Sequence, residues 1–183
     1  MEFEELDIPG VWLAKSPTYR DSRGLFRDWV QASDIENASG IEFVTSQSNC
    51  STSVENVIRG IHFSRSPIGQ AKFVTCVQGS ILDVVIDLRK SSNTFMQSIQ
   101  VELNSENGYS VFIPSGFGHG FLTLDSDNTV VYNLTSEYDP KSEFTIDAFD
   151  SKLSITWPTK NVLRSDRDSA AVGVTEMFLE LPD

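Results

Sequence analysis

The chain has 183 residues, with 26 Asp and Glu against 14 Lys and Arg, a formal net charge of -12, and ordinary hydrophobic (39%) and charged (22%) fractions. That length fits one domain with a sizeable core, and the acidic excess argues against generic binding to nucleic acid or anionic membranes. No apolar run approaches the ~20 residues of a membrane-crossing helix, and the acidic residues 1–7 lack the basic-then-apolar order of a secretory signal, so a cytoplasmic protein is expected.

Residues 32–36 are predicted to make one short helical turn. Strand signals dominate from there on. Residues 42–47, 57–63, 71–77 and 81–88 are rich in β-branched and aromatic side chains and bounded by turn residues. The Gln78-Gly79-Ser80 break between the last two reads as a hairpin loop. Further strands are predicted over 98–103, 109–113, 120–124, 129–135 and 144–148, with loops over 89–93 and 125–128. Residues 168–179 are predicted to form a short C-terminal helix. Short strands recurring between polar turns point to a mainly β, antiparallel sandwich or barrel. No linker, low-complexity tract or internal repeat divides the chain, so one domain over 1–183 is expected, with a short extension from about residue 160. Cys50 and Cys76 are too few for a disulfide framework and are not spaced as zinc ligands; they read as two reduced thiols.

The chain holds two histidines, each flanked by glycine and aromatic residues: Arg59-Gly60-Ile61-His62-Phe63 and Gly116-Phe117-Gly118-His119-Gly120-Phe121. Imidazole is the side chain that most readily exchanges a proton near neutral pH, and these surroundings suggest a lined cavity. Arg59 and His62 stand three apart, which in a regular strand sends them to opposite faces. Gly60 between them offers a bulge or bend, so a local irregularity is predicted there if both line one site. Lys72 points inward if Val74 and Cys76 face the interior, and stays wet if Phe73, Thr75 and Val77 do. Tyr132 is either a core aromatic or a phenol presented as an acid. Metal sites in such barrels take two or three histidines plus a carboxylate; here Ser64 stands where a second strand histidine would. There is no glycine-rich phosphate loop and no nucleophile elbow.

Taken in order, Asp21-Ser22-Arg23-Gly24-Leu25-Phe26, Gln47-Ser48-Asn49-Cys50-Ser51, Arg59-Gly60-Ile61-His62-Phe63, Gln70-Ala71-Lys72, residues 79–89 and Gly116–Phe121 resemble the dTDP-4-dehydrorhamnose 3,5-epimerase family. The resemblance runs from about residue 6 to 158 and extends weakly through Ser165-Asp166-Arg167-Asp168. It implies a cupin-type jelly roll, a homodimer working without metal or organic cofactor, and a thymidine-diphosphate 4-keto-6-deoxyhexose substrate inverted at C3 and C5. By the same resemblance His62 is the general base, Asp168 the carboxylate that orients it, Lys72 the group that stabilises the C4 oxyanion, and Tyr132 the acid on the opposite ring face. Arg59 and His119 are implied near the diphosphate, with Arg23, Phe26, Asp28, Gln47, Asn49, Tyr138 and Arg167 as further substrate contacts. Asp28 departs from the family's usual Glu, Asn133 from a frequent Lys, and Arg167 from a frequent Lys. Asp166, two residues before Asp168, is an alternative partner for the base. The alternatives are a mono-epimerase of a related deoxysugar pathway, a sugar-nucleotide binding jelly roll without activity, and a metal-dependent cupin oxygenase.

Overall fold

A computed structural model describes residues 1–65 and 69–180. In chain order the strands begin with β1 (Glu2–Glu5), β2 (Trp12–Lys15), β3 (Tyr19–Asp21) and β4 (Gly24–Phe26), followed by the helix α1 (Ala32–Ser39). Next come β5 (Gln47–Ser53), β6 (Ile58–Ser64), β7 (Lys72–Gln78), β8 (Ser80–Asp87) and β9 (Ser98–Asn104). The chain continues through β10 (Tyr109–Ile113), β11 (Phe117–Thr123), β12 (Asn128–Leu134) and β13 (Glu143–Thr145) to the short helices α2 (Asp166–Ser169) and α3 (Val174–Glu180).

The strands form two antiparallel sheets, in the orders β1-β2-β10-β7-β12-β5 and β13-β6-β11-β8-β9, while β3 and β4 make a separate hairpin. This is the expected jelly-roll sandwich. Alternation along each strand sorts the apolar side chains into three layers. Val74, Cys76, Ile81, Val85, Val111, Phe121 and Val130 meet between the sheets. Val84, Ile86, Ile58, Ile61 and Leu122 face the other way and are covered by Leu153, Val174 and Met177 of the C-terminal segment. Phe73 and Phe112 leave the far face of the six-stranded sheet and pack under Ile35 of α1 and the loop residue Phe43. Both faces of β7 are therefore buried, which is why its periodicity left the direction of Lys72 open. Lys72 shares the inner face with Val74 and Cys76.

Several sequence expectations change. Residues 42–47 do not form a strand; the strand starts at Gln47, and its half-buried positions Gln47, Asn49, Ser51 and Ser53 are all polar. The Gln78–Ser80 break is not a hairpin. β7 and β8 lie in different sheets, so Gly79 turns the chain across a corner of the sandwich. Gly79 has φ 73°, and a Cβ there would lie 2.4 Å from the Asp127 carbonyl oxygen, so only glycine fits. The C-terminal helix is two helices, parted around Gly173.

Candidate active site

One cavity of about 460 Å³ opens between the sheets. Arg59 and His62 of β6, His119 and Phe121 of β11, Lys72 of β7, Tyr132 of β12 and Ser51 of β5 line it, with residues 163–165, Arg167 and Asp168 closing one side. The predicted irregularity is what brings Arg59 and His62 together. His62 pairs with His119 and Arg59 with Phe121, so two residues of β6, Gly60 and Ile61, stand against one of β11, Gly120. Gly60 takes φ 120°, and a Cβ on it would lie 2.7 Å from both Gly120 Cα and the His119 carbonyl oxygen. The extra residue resets the alternation, leaving Ile58 and Ile61 on the outer face and both polar side chains in the cavity.

His62 Nε2 lies 2.6 Å from Asp168 Oδ1. Asp168 is placed by α2, whose first turn is capped by Ser165: its Oγ accepts the Asp168 backbone N–H at 3.1 Å. Burial pushes the Asp168 carboxyl up, but the bond and charge of His62, the Ser165 hydroxyl and the Gly60 N–H outweigh it and hold the group below its ordinary value. Asp166 is exposed and outside this arrangement. The second histidine has a carboxylate of its own, since His119 Nε2 sits 2.7 Å from the buried Asp83 Oδ2. Nothing in the motifs named that acid. A signal existed, because Asp83 occupies an inward position between Ile81 and Val85, where a carboxylate requires a partner.

Lys72 is buried. Burial drives its pKa below the ordinary lysine value, while the negative charges of Glu143 and Asp83 oppose that fall. Tyr132 lies on the sheet opposite His62, so the phenol and the imidazole belong to opposing walls. Burial raises the phenol's pKa and keeps it protonated, with Asn49 and Arg59 pulling the other way.

The remaining predicted residues divide into two groups. Gln47 Nε2 donates to Asn49 Oδ1 at 2.8 Å, and Gln47 Oε1 accepts the Tyr138 backbone N–H at 2.8 Å. These three make a cluster on the β5 side, with the Tyr138 ring exposed. Arg167 is on the rim and donates to the Glu143 carbonyl oxygen at 3.0 Å. Arg23 and Phe26 sit on the β3–β4 hairpin, off the cavity: Arg23 forks onto Asp21 at 2.6 Å and Phe26 is 61% exposed. Asp28, just beyond the hairpin, is exposed too. The expected binding set is thus not gathered around one chain's cavity. Arg164, which the motifs did not single out, lines the cavity and is fixed by Asp147 Oδ1 at 2.7 Å. Among the described residues no three His, Cys, Asp or Glu side chains group as metal ligands.

The chain matches the dTDP-4-dehydrorhamnose 3,5-epimerase family over residues 5–176. It is 41% identical over 174 residues to the dTDP-4-dehydrorhamnose 3,5-epimerase of Mycobacterium tuberculosis (strain ATCC 25618 / H37Rv), covering 93% of this chain and 86% of that protein. It is 39% identical over 176 residues to a dTDP-4-dehydrorhamnose 3-epimerase of Streptomyces niveus, covering 96% of this chain and 85% of that protein. Among solved structures, a 3,5-epimerase from Legionella pneumophila Philadelphia 1, crystallised with dTDP-4-keto-L-rhamnose, superposes with a TM-score of 0.93 at 34% identity, covering 98% of this chain and 95% of that one. Sequence, fold and cavity agree, and the chain belongs to the dTDP-4-dehydrorhamnose 3,5-epimerase family.

Proposed function

We propose that the protein epimerises a thymidine-diphosphate 4-keto-6-deoxyhexose at C5 and C3, acting as a dTDP-4-dehydrorhamnose 3,5-epimerase. The observation that carries this reading is the His62–Asp168 pair on one wall of a cavity whose opposite wall presents Tyr132 and the buried Lys72. A proton on a carbon beside a ketone leaves only if a base reaches it and the enolate oxygen is stabilised as charge develops. His62 takes the proton. Asp168 fixes the ring and stabilises the imidazolium that forms. Lys72 faces the C4 oxygen as an ammonium, and Tyr132 returns a proton from the other side of the ring, which inverts the centre. Arg59, His119, Arg164 and Arg167 supply the cationic and hydrogen-bonding wall for the diphosphate, and Gln47, Asn49 and Tyr138 the nucleotide side.

The protein works as a homodimer in the cytoplasm, a reading supported by the family resemblance, by two free thiols and by no helix of the described residues being long and apolar enough to cross a membrane. In that dimer the substrate contacts of Arg23, Phe26 and Asp28 are made towards the partner's cavity, since they do not line their own. No metal or organic cofactor takes part in the proposed steps.

A mono-epimerase is the second reading, favoured by the Streptomyces niveus 3-epimerase, whose identity is within a few per cent of that of the mycobacterial 3,5-epimerase. Incubation with dTDP-4-keto-6-deoxyglucose in deuterated water, followed by NMR at C3 and C5, separates the two. Deuterium at both carbons is expected. Label at one carbon supports the mono-epimerase, and no label from folded protein contradicts both.

A further inference from the structure

Lys72 is a cation enclosed between two sheets, and no hydrogen bond or ion pair with another described residue fixes its Nζ. Burial alone favours the neutral amine, which gives an enolate oxygen little electrostatic support. Some anion must keep the charge in place. Asp83 is near, with its Oδ2 engaged by His119 and its Oδ1 buried without a hydrogen-bond partner among the described residues. Glu143 is the other nearby carboxylate, and its charge acts on Lys72 ahead of that of Asp83.

Its placement is built rather than incidental. Glu143 pairs with Ser64, and two residues on Thr145 pairs with His62. Cross-strand partners, and residues two apart on a strand, share a face, so Glu143 points to the same interior side as His62. Its Oε1 accepts the Gln70 side-chain amide at 3.2 Å, and that amide also reaches Ser136 Oγ at 3.0 Å. Gln70 is buried and stands two residues before Lys72. The Glu143 backbone carbonyl meanwhile accepts Arg167, the neighbour of Asp168. One residue thus ties the Lys72 side of the cavity to the segment that orients the base.

We propose that Glu143 is a positioning residue of the epimerisation: clamped by Gln70, its carboxylate holds Lys72 as an ammonium facing the substrate's C4 oxygen. The inference rests on the reaction assigned above. The other titratable or charged groups around the cavity that Lys72 lines are Asp83 of β8, His119 of β11, His62 and Arg59 of β6, Tyr132 of β12, and Arg164, Arg167 and Asp168 of the closing segment. Because Glu143 also acts on Tyr132, its removal lowers the titration of both the phenol and the ammonium, and a lysine-specific probe is required.

The test is Glu143→Gln, with Glu143→Asp as the conservative partner, in protein carrying ¹³C at lysine Cε, the Lys72 signal being assigned by its loss in Lys72→Met. In Glu143→Gln, Lys72 is expected to titrate lower by about one pH unit, the scale of one nearby charge at an intermediate effective dielectric. The alkaline limb of kcat/KM for solvent exchange moves down with it, dTDP affinity changes less than about twofold, and Glu143→Asp recovers part of the shift. An unmoved Lys72 titration overturns the proposal, even if turnover falls. A shifted Lys72 in a protein whose wild type exchanges no substrate proton supports the electrostatic role and instead sinks the assigned reaction.

Discussion

At the scale of single residues, the cavity separates two histidine–carboxylate pairs that the sequence presents almost symmetrically. His62 is about one-third exposed at its side chain, whereas His119 is nearly enclosed with its fully buried Asp83. Only the first combines access to a ligand with a carboxylate behind it, which supports His62 as the proposed base and His119 as part of the wall. In that proposal Asp168 acts through the ring it orients. Replacing it with Asn keeps the shape but loses the charge that stabilises an imidazolium. Asp168→Asn is expected to lower kcat by about 10²-fold, within the range assigned to acid–base assistance, with dTDP affinity nearly unchanged in a titration. A kcat within threefold of wild type would show that the pair is not part of the reaction.

At the scale of elements, the bulged strand β6 is the device that places His62, the proposed base. Gly60 provides the positive φ, the close approach to Gly120 and an N–H that supports the Asp168 carboxylate. Gly60→Ala therefore meets both steric and conformational obstacles and should cost about 3 kcal/mol, the size typical of strain at a special backbone position. Urea unfolding measures it; a loss below about 1 kcal/mol would mean that β6 relaxes easily. That this strand had to be irregular was readable from Arg59 and His62 standing three apart around a glycine. Most other strands were readable from β-branched runs. Those missed had a physical reason: β1, β3 and β4 are short and largely exposed, and the four-residue β2 buries two adjacent residues, so no apolar alternation marks them. β5 turns polar side chains towards the cavity side and hides its inward face. Gly79 looked like a hairpin turn because a sandwich corner and a hairpin place the same demand on φ. Of the site, His62, Lys72, Tyr132 and Asp168 were reachable through motif resemblance, whereas Asp83, Glu143 and Arg164 depend on strand register and loop closure.

For the molecule as a whole, the net charge of -12 sets a problem that the cavity answers locally, with Arg59, Lys72, Arg164 and Arg167 gathered on its lining. Stability carries its own acid-sensitive group. Asp87 is fully buried at the end of β8 and accepts Arg89 Nη2 at 2.7 Å, with Ser92 and Thr94 hydroxyls at 2.6 Å. Burial raises its pKa, yet these bonds win and hold it well below the usual carboxylate range. A depressed folded-state pKa contributes stability above the unfolded value and loses it as pH falls towards the folded one. The protein is therefore expected to weaken progressively below about pH 4, near the unfolded carboxylate pKa. Asp87→Asn should lose about 2 kcal/mol at neutral pH and show a flatter acid limb in thermal unfolding. An identical acid limb in the variant would place the acid sensitivity elsewhere.

In the proposed reaction His62 removes a proton beside the substrate's ketone. Solvent deuterium uptake into dTDP-4-keto-6-deoxyglucose, compared between wild type and His62→Asn at saturating substrate, tests this step. Uptake by wild type and a loss of at least about 10³-fold in the variant are expected, with dTDP still bound at near wild-type affinity. Uptake by His62→Asn at a rate near that of wild type would contradict it.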